Sequence, residues 1–225
     1  MHFVTIPGAG GAGYAWSLVA ERLRASGHTV ATPDLPTGEH RGLSDYADAI
    51  ADAAGDASET TLVAHSLGGF TAALAARRIP VARLVFLNGM IPVPGESAGD
   101  WWDAVGFADE RAKAERAAGR DPDAEFDLGI VFFHDVPDDR RATIESIQLP
   151  PDAEEAFTEP AGFSAWPSVP IRVLVGRGDR FFPAEFQRRV ALERLPAGTE
   201  IVEVPGGHMA ALAAPDEVAA AILAT

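Results

Sequence analysis

Short apolar segments alternate with amphipathic ones along most of this chain. The apolar segments are rich in β-branched residues and predict six strands, at residues 2–6, 28–32, 60–64, 83–87, 171–175 and 200–204. Between them, helical spacing of apolar residues predicts helices at residues 14–25, 43–54, 67–78, 184–195 and 210–223. Near-continuous apolar strands separated by such helices are typical of a parallel sheet covered on both faces. We therefore predict an α/β fold with a mostly parallel sheet of about six strands.

One long segment interrupts this alternation. No apolar strand follows between the fourth and fifth predicted strands, and proline-containing joints stand at both ends of the gap. Helical spacing continues inside it, at residues 101–119 and 138–148. We predict that residues 92–168 form an inserted helical lid and that residues 1–91 and 169–225 form the core on which it leans.

The composition is acidic, with 18 basic and 33 acidic residues among 225 and a net charge of −15. Because no basic patch offsets this charge, phosphate-rich partners would be repelled, and we expect neither a nucleic-acid partner nor an anionic membrane partner. No apolar run approaches the ~20 residues that would span a bilayer. These observations favour a small-molecule partner.

The acidic residues are concentrated in the predicted lid. Residues 92–168 contain 6 basic and 18 acidic residues, a net charge of 6 − 18 = −12, whereas the rest of the chain carries 12 − 15 = −3. A solvated outer face accounts for such charge. An alternative hypothesis is an electronegative entrance that disfavours anionic substrates. The lid also holds half of the aromatic residues, which either fill its own core or line an apolar pocket.

The absence of cysteine excludes disulfides, thiolate catalysis and cysteine-ligated metal sites. The H-E-x-x-H motif is absent as well, so we predict neither a metal nor another cofactor. The first residues include no basic segment and no apolar stretch long enough for an export signal. We therefore expect a cytoplasmic protein.

The sequence Ala-His-Ser-Leu-Gly-Gly, from Ala64 to Gly69, follows one predicted strand and opens a predicted helix. A sharp turn there would lift the hydroxyl of Ser66 over the sheet edge, as in a nucleophile elbow. The small residue Gly68 follows at the required spacing, while Ala64 stands where the strict motif has glycine. The alternative is a helix N-cap, a common position for serine. Neighbouring His65 should point away from Ser66, which favours a packing role.

Two further polar residues follow the last two predicted strands. Asp179 lies in Gly-Arg-Gly-Asp after the fifth, and His208 lies in Pro-Gly-Gly-His after the sixth. Parallel strands end at one sheet edge, so both should meet Ser66 there. Asp179 would then orient His208, which would take the proton of Ser66. Taken singly, Asp179 could be a helix cap and His208 a loop histidine.

A glycine-rich run, residues 7–13, follows the first predicted strand. Such a run leaves backbone N–H groups free, so we assign an oxyanion hole to the amides of Ala9 and Leu67. Substrate could approach closely at Gly8 and Gly10. The competing interpretation is a phosphate-binding loop, which is disfavoured because no Gly-Lys-Ser/Thr follows.

The whole chain resembles the α/β-hydrolases, and within them the branch of plant-type methyl esterases and hydroxynitrile lyases. The resemblance is carried by residues 2–16, 27–35, 64–69, 176–187 and 206–209, and it is weak in the predicted lid. It implies an α/β-hydrolase fold with a Ser-His-Asp triad. The lyases of this branch carry lysine after the catalytic histidine and threonine in the oxyanion loop. This chain has Met209 and Gly8 there, as the esterases do.

We therefore predict a serine hydrolase that cleaves a small, mostly apolar, neutral carboxylic ester through an acyl-enzyme. Alternatives are a thioesterase or lactonase with the same triad, a C–C lyase like the hydroxynitrile lyases, or a ligand-binding protein with little turnover. Met209 is expected beside the substrate. His134 is a candidate substrate contact from the lid, although a structural pair with Asp135 accounts for it as well. A homodimer is a hypothesis for the assembly.

Overall fold

The sheet edge that carries the candidate residues is formed by six parallel strands. A computed structural model describes residues 1–224, and within them the strands pair in the order β2-β1-β3-β4-β5-β6. Their bounds are β1 His2–Ile6, β2 Thr29–Ala31, β3 Thr60–His65, β4 Val81–Leu87, β5 Ile171–Gly176 and β6 Glu200–Val204. Every pairing is parallel. The predicted six-stranded parallel sheet is confirmed.

Helices cover both faces of the sheet, because alternate strand residues point to opposite sides. One face packs against α2 (Leu43–Ala54), α3 (Gly68–Ala75) and α9 (Ala184–Arg194). The other packs against α1 (Ser17–Ala25) and α11 (Pro215–Leu223). A 3₁₀ turn, Gly13–Trp16, precedes α1, and the short α10, Ala210–Ala213, precedes α11. Within the described residues, no helix is both long enough and apolar enough to cross a membrane.

Two predicted helices are each broken into two. The helix predicted at 101–119 is observed as α4 (Ala98–Ala104) and α5 (Phe107–Ala117), because Gly106 between them adopts φ = 62°. The helix predicted at 210–223 breaks before Pro215, since proline cannot supply the N–H that would continue α10. Both breaks occur at a glycine or a proline, whose backbone preferences are not part of the apolar spacing from which the helices are predicted.

Helices α4 to α8 connect β4 to β5 and lie over the carboxyl edge of the sheet. The remaining three are α6 (Leu128–Val131), α7 (Asp138–Glu145) and α8 (Glu155–Thr158). Trp101 of α4 is completely buried, and its indole N–H donates to the carbonyl of Ile91 over 3.1 Å. A buried ion pair joins Glu96 to Arg194 of α9 at 2.5 Å. These contacts dock the segment on the core, while the lid boundaries at residues 92 and 168 stay a prediction.

Candidate active site

The turn between β3 and α3 holds Ser66 in a strained conformation. Its φ is +50°, which is rare for residues other than glycine and costs energy that the surroundings must offset. The carbonyl of Ser66 accepts from the amides of Gly69 at 3.0 Å and Met90 at 2.9 Å. A Cβ at Gly69 would overlap the carbonyl oxygen of Met90, so glycine is required where α3 passes the segment that follows β4. This is the strand–turn–helix expected of a nucleophile elbow.

His208 joins Ser66 to Asp179 in a buried hydrogen-bond chain. The Ser66 Oγ lies 3.2 Å from Nε2 of His208, and Nδ1 of the same ring lies 2.9 Å from Oδ2 of Asp179. The Ser66 hydroxyl can thus donate to Nε2 while Nδ1–H donates to the carboxylate. His208 is 1% exposed. The structure therefore brings together the three residues that the sequence singles out as catalytic candidates.

The Asp179 carboxylate is held by donors from its own loop and from α9. Oδ1 accepts from the amides of Phe181 at 2.8 Å and Phe182 at 2.9 Å, and Oδ2 has Gln187 Nε2 at 3.3 Å. The N-cap residue of α9 is Pro183, so Asp179 does not cap that helix. These donors hold the carboxylate in place and fix the oxygen that faces His208.

His65 also contacts His208, although through the backbone of the latter. Its Nε2–H donates to the carbonyl of His208 over 2.9 Å, and the two ring centroids are 4.8 Å apart. Burial lowers the pKa of His65 to about 3, and repulsion between the two rings when both are protonated is a smaller cause. His65 is therefore neutral near pH 7 and acts as a donor to the loop that carries His208.

Asn88 was not singled out by the sequence, yet it lies at the centre of this network. It follows β4, is completely buried, and hydrogen-bonds to the loops after β5 and β6. Its φ of +47° is a second strained position beside that of Ser66. A lone asparagine after a strand is typical of an ordinary turn, so the sequence gives no signal for these contacts.

The glycine-rich loop after β1 approaches Ser66 closely. A Cβ at Gly8 would lie 2.9 Å from the Cβ of Ser66, so only glycine fits without displacement. Ala9 and Leu67 line the same cavity on either side of Ser66. The amide of Gly10 is already occupied, because it donates to Oδ2 of Asp152 over 2.6 Å. Gly10 therefore lines the cavity with its N–H directed to this carboxylate from the connecting segment.

A cavity of about 510 Å³ opens above Ser66. Gly8, Gly10 and Met209 line it as expected, and the segment between β4 and β5 adds mainly apolar side chains, including Trp102, Leu128, Phe132, Phe133, Ile144 and Phe157. Within residues 1–224, no carboxylate, ammonium or guanidinium group lines this cavity. The described chain also lacks a group of three or more His, Asp or Glu side chains arranged to hold a metal ion.

His134 lies apart from the residues that line the cavity. Its ring packs on Gly207, where an added Cβ would come within 2.6 Å of His134 Cε1. Burial lowers the pKa of His134. The expected pair with Asp135 is not formed, because Oδ2 of Asp135 accepts from the amide of Gly207 over 2.6 Å. The structure therefore gives His134 neither expected contact and shows Asp135 as the residue bound to the His208 loop.

Comparison with known proteins agrees with this geometry. A family model described as the alpha/beta hydrolase family matches residues 3–221. The chain belongs to this family. The resemblance drawn from its motifs and the fold that it implies are thereby confirmed, and plant methylesterases are among the similar proteins.

Three similar proteins illustrate the range of sequence identity and coverage. The chain is 36% identical to "Probable esterase PIR7A" of Oryza sativa subsp. indica over 111 residues, 44% of this chain and 42% of that protein. It is 28% identical to "Methyl jasmonate esterase 1" of Vitis vinifera over 179 residues, 70% of this chain and 64% of that one. The crystal structure of polyneuridine aldehyde esterase superposes with a TM-score of 0.74 at 21% identity, covering 99% and 97% of the two chains. The matches to the rice relatives span less than half of their length.

Proposed function

We propose that this protein is a serine carboxylester hydrolase. The observation that carries the proposal is the hydrogen-bond chain from Asp179 through His208 to Ser66, which ends at an apolar cavity. A buried imidazole held between a carboxylate and a hydroxyl is the arrangement that activates a serine for acyl transfer. The similar plant proteins named as esterases support the reaction class.

The reaction proceeds through an acyl-enzyme. The Ser66 oxygen attacks the ester carbonyl while His208 Nε2 accepts the hydroxyl proton, and Asp179 stabilises the resulting imidazolium. The amides of Ala9 and Leu67 donate to the oxyanion. Collapse of the intermediate breaks the bond to the leaving alkoxide, which receives the proton from His208. Water then adds to the acyl-enzyme by the same steps and releases the acid.

The cavity favours a small, mostly apolar, neutral ester. A volume of about 510 Å³ suits a molecule of modest size, and the lining offers no full charge to pair with an ionic group. A thioester or lactone would meet the same triad. Met209 and Gly8 disfavour a cyanohydrin lyase, because a thioether cannot stabilise departing cyanide as an ammonium group would. Cytoplasmic location and a homodimer stay predictions from the sequence.

Hydrolysis of p-nitrophenyl acetate, butyrate and octanoate tests the proposal. Wild type should release p-nitrophenol, and Ser66→Ala should lower kcat by roughly 10⁴- to 10⁶-fold. Ser26→Ala is the matched control, because Ser26 is exposed at the end of α1 and bonds only to the Arg22 carbonyl there. Equal activity of Ser66→Ala and wild type would show that another group is the nucleophile. No turnover of these esters, thioesters or lactones would favour ligand binding instead.

A further inference from the structure

Asn88 contributes no chemistry to the proposed reaction, yet its environment is costly to build. It is 0% exposed, and its φ of +47° lies in the left-handed region. Asparagine is among the few side chains that tolerate this region, and strain there persists only where surrounding contacts over-determine it. Its amide N–H donates to the carbonyl of Leu174 over 3.0 Å, which fixes the backbone on β5.

Both N–H donors and the oxygen of the Asn88 side-chain amide are hydrogen-bonded. Nδ2 donates to the carbonyls of Gly207 at 2.9 Å and His208 at 3.0 Å. Oδ1 accepts from the amide of Gly176 over 2.7 Å. Two donors and a carbonyl acceptor are what a carboxamide offers, and an apolar residue or an aspartate would leave buried partners unpaired.

These three bonds join the acid loop to the base loop. Gly176 ends β5, and its carbonyl accepts from the amide of Asp179 over 3.1 Å. Gly207 and His208 follow β6, whose pairing with β5 ends at Gly176 and Val204. Beyond that point two backbone hydrogen bonds continue between the loops, from the amide of Arg177 to Val204 and from that of Gly178 to Gly206, both over 2.9 Å. The planar amide of Asn88 extends this link to the carbonyl of His208 itself, the residue that Asp179 must meet.

The carbonyl of His208 accepts a hydrogen bond from a second donor, His65. His65 Nε2–H bonds to the His208 oxygen over 2.9 Å, so Asn88 and His65 together fill both of its acceptor sites. The His208 backbone is thereby held from two directions, by residues that follow β4 and end β3. Its ring can then point to Ser66 and Asp179 with little freedom to turn away.

We propose that Asn88 is a positioning residue that sets the geometry between Asp179 and His208. The inference rests on the proposed hydrolase mechanism. Without the amide, the His208 loop keeps its backbone bonds to the residues after β5 but loses the side-chain bonds at Gly207 and His208, and the imidazole departs from the line between carboxylate and hydroxyl. A displacement of ~1 Å at such a site costs on the order of 100-fold in rate. Substrate binding depends on the apolar cavity and should change little.

Two variants separate positioning from folding. Asn88→Gly keeps the left-handed backbone accessible and deletes all three bonds. Asn88→Asp keeps the acceptor for Gly176 but turns an oxygen toward the two carbonyls. We expect both to lower kcat about 10- to 100-fold with KM changed less than about threefold. Leu23→Ala is the destabilised control: Leu23 is completely buried on the opposite face, so it should lower Tm while kcat stays that of wild type.

Proton NMR supplies a readout that general destabilisation does not move. The Nδ1 proton shared by His208 and Asp179 should resonate at low field in wild type and Leu23→Ala, and should move upfield or disappear in Asn88→Gly. Wild-type kcat and an unchanged low-field signal in both Asn88 variants would overturn the inference. If one of the two Asn88 variants does not fold, the same measurements on the other variant test the inference.

The proposed function and this inference fail in different ways. If wild type hydrolyses none of the esters tested, the proposed function is wrong for those substrates. The low-field signal and the rate at which a fluorophosphonate labels Ser66 still compare Asn88→Gly with wild type, since the phosphorus bonds to Oγ as fluoride leaves. Slower labelling with a lost signal supports the role of Asn88. Equal labelling with a retained signal refutes it.

Discussion

The sheet edge and the lid contribute to one cavity in contrasting ways. The edge supplies polar side chains that are buried and paired, as in the chain from Ser66 to Asp179. The lid supplies mainly apolar surface, and its polar ties to the site loops include the carboxylates of Asp135 and Asp152, which accept from backbone amides. At the edge, therefore, side-chain chemistry depends on exact partners, whereas the lid acts through shape.

This difference indicates where change is tolerated. A buried polar network at low dielectric is stabilised only while every member keeps its partner, so single substitutions have large effects. An apolar wall can be repacked by residues of similar volume at modest cost. Reaction chemistry should therefore be sensitive to the edge and substrate choice to the lid. Matched substitutions in the two regions test that separation.

The largest contrast is expected between two carboxylates. Asp179→Asn should lower kcat for p-nitrophenyl butyrate by roughly 10³- to 10⁴-fold, because the amide favours the wrong histidine tautomer. Asp135→Asn should lower it by less than about tenfold, since an amide oxygen can still accept from Gly207. Comparable losses in the two variants would mean that the lid carboxylate takes part in the chemistry.

Glycine-to-alanine substitutions should also lower the free energy of unfolding more at the sheet edge than in the lid. In α3, the new Cβ of Gly69→Ala would overlap the backbone carbonyl of Met90, and we expect a loss of roughly 2–4 kcal/mol in unfolding free energy. In α6 of the lid, the new Cβ of Gly129→Ala would meet only side-chain atoms, the guanidinium of Arg141 and Oδ1 of Asp127, which can shift, so we expect a change of less than about 1 kcal/mol. Urea denaturation of both variants measures the difference. A fully stable Gly69→Ala would show that the elbow can relax.

The buried His65 at the sheet edge should make the free energy of unfolding depend on pH. Burial lowers the pKa of His65 to about 3, so between pH 6.5 and that value the unfolded chain binds a proton that the folded chain does not. Unfolding free energy therefore falls as pH falls, by up to about 1.4 kcal/mol per unit. His65→Gln removes this dependence.

The measurement is the difference in unfolding free energy between wild type and His65→Gln. Between pH 6.5 and 4.5 the advantage of wild type should shrink by roughly 2–3 kcal/mol. His40→Gln is the control, because the side chain of His40 is exposed and pairs with Glu155, which is exposed as well. A pH-independent difference for His65→Gln would show that the folded state accepts the proton.

The sequence predicts the edge better than the lid for a physical reason. Strand positions follow from apolar runs, and residues directly after parallel strands must meet at one edge, so Ser66, Asp179 and His208 could be placed together. Asn88 stands at the same edge, but its importance depends on which carbonyls face it across two loops. That information lies in the tertiary packing rather than in any local pattern.

In the lid, helical spacing predicts helices without their ends or their contacts. The break at Gly106 depends on a positive φ that a glycine permits but does not require. Likewise, a histidine and an aspartate are adjacent in the sequence at His134 and Asp135, which suggests a pair. The carboxylate of Asp135 instead accepts from the amide of Gly207, because the fold places Gly207 next to it. Side-chain partners in an irregular segment follow from the core on which it rests.

The smallest expected effect is a change of substrate preference from the lid. Trp102 lines the cavity and packs edge-on against Phe107 and Phe181, at ring-centroid distances of 4.9 and 5.8 Å. Trp102→Ala should enlarge the cavity and raise the ratio of kcat/KM for octanoate over acetate esters by about tenfold. Phe126→Ala is the control, because Phe126 is 46% exposed and lies outside the cavity lining. Since no hydrogen bond within the described residues joins Trp102 to Ser66, His208 or Asp179, turnover of the acetate ester should stay close to wild type. If acetate turnover fell as far as it does in Asp179→Asn, the lid would be part of the catalytic machinery and the separation between edge and lid would fail.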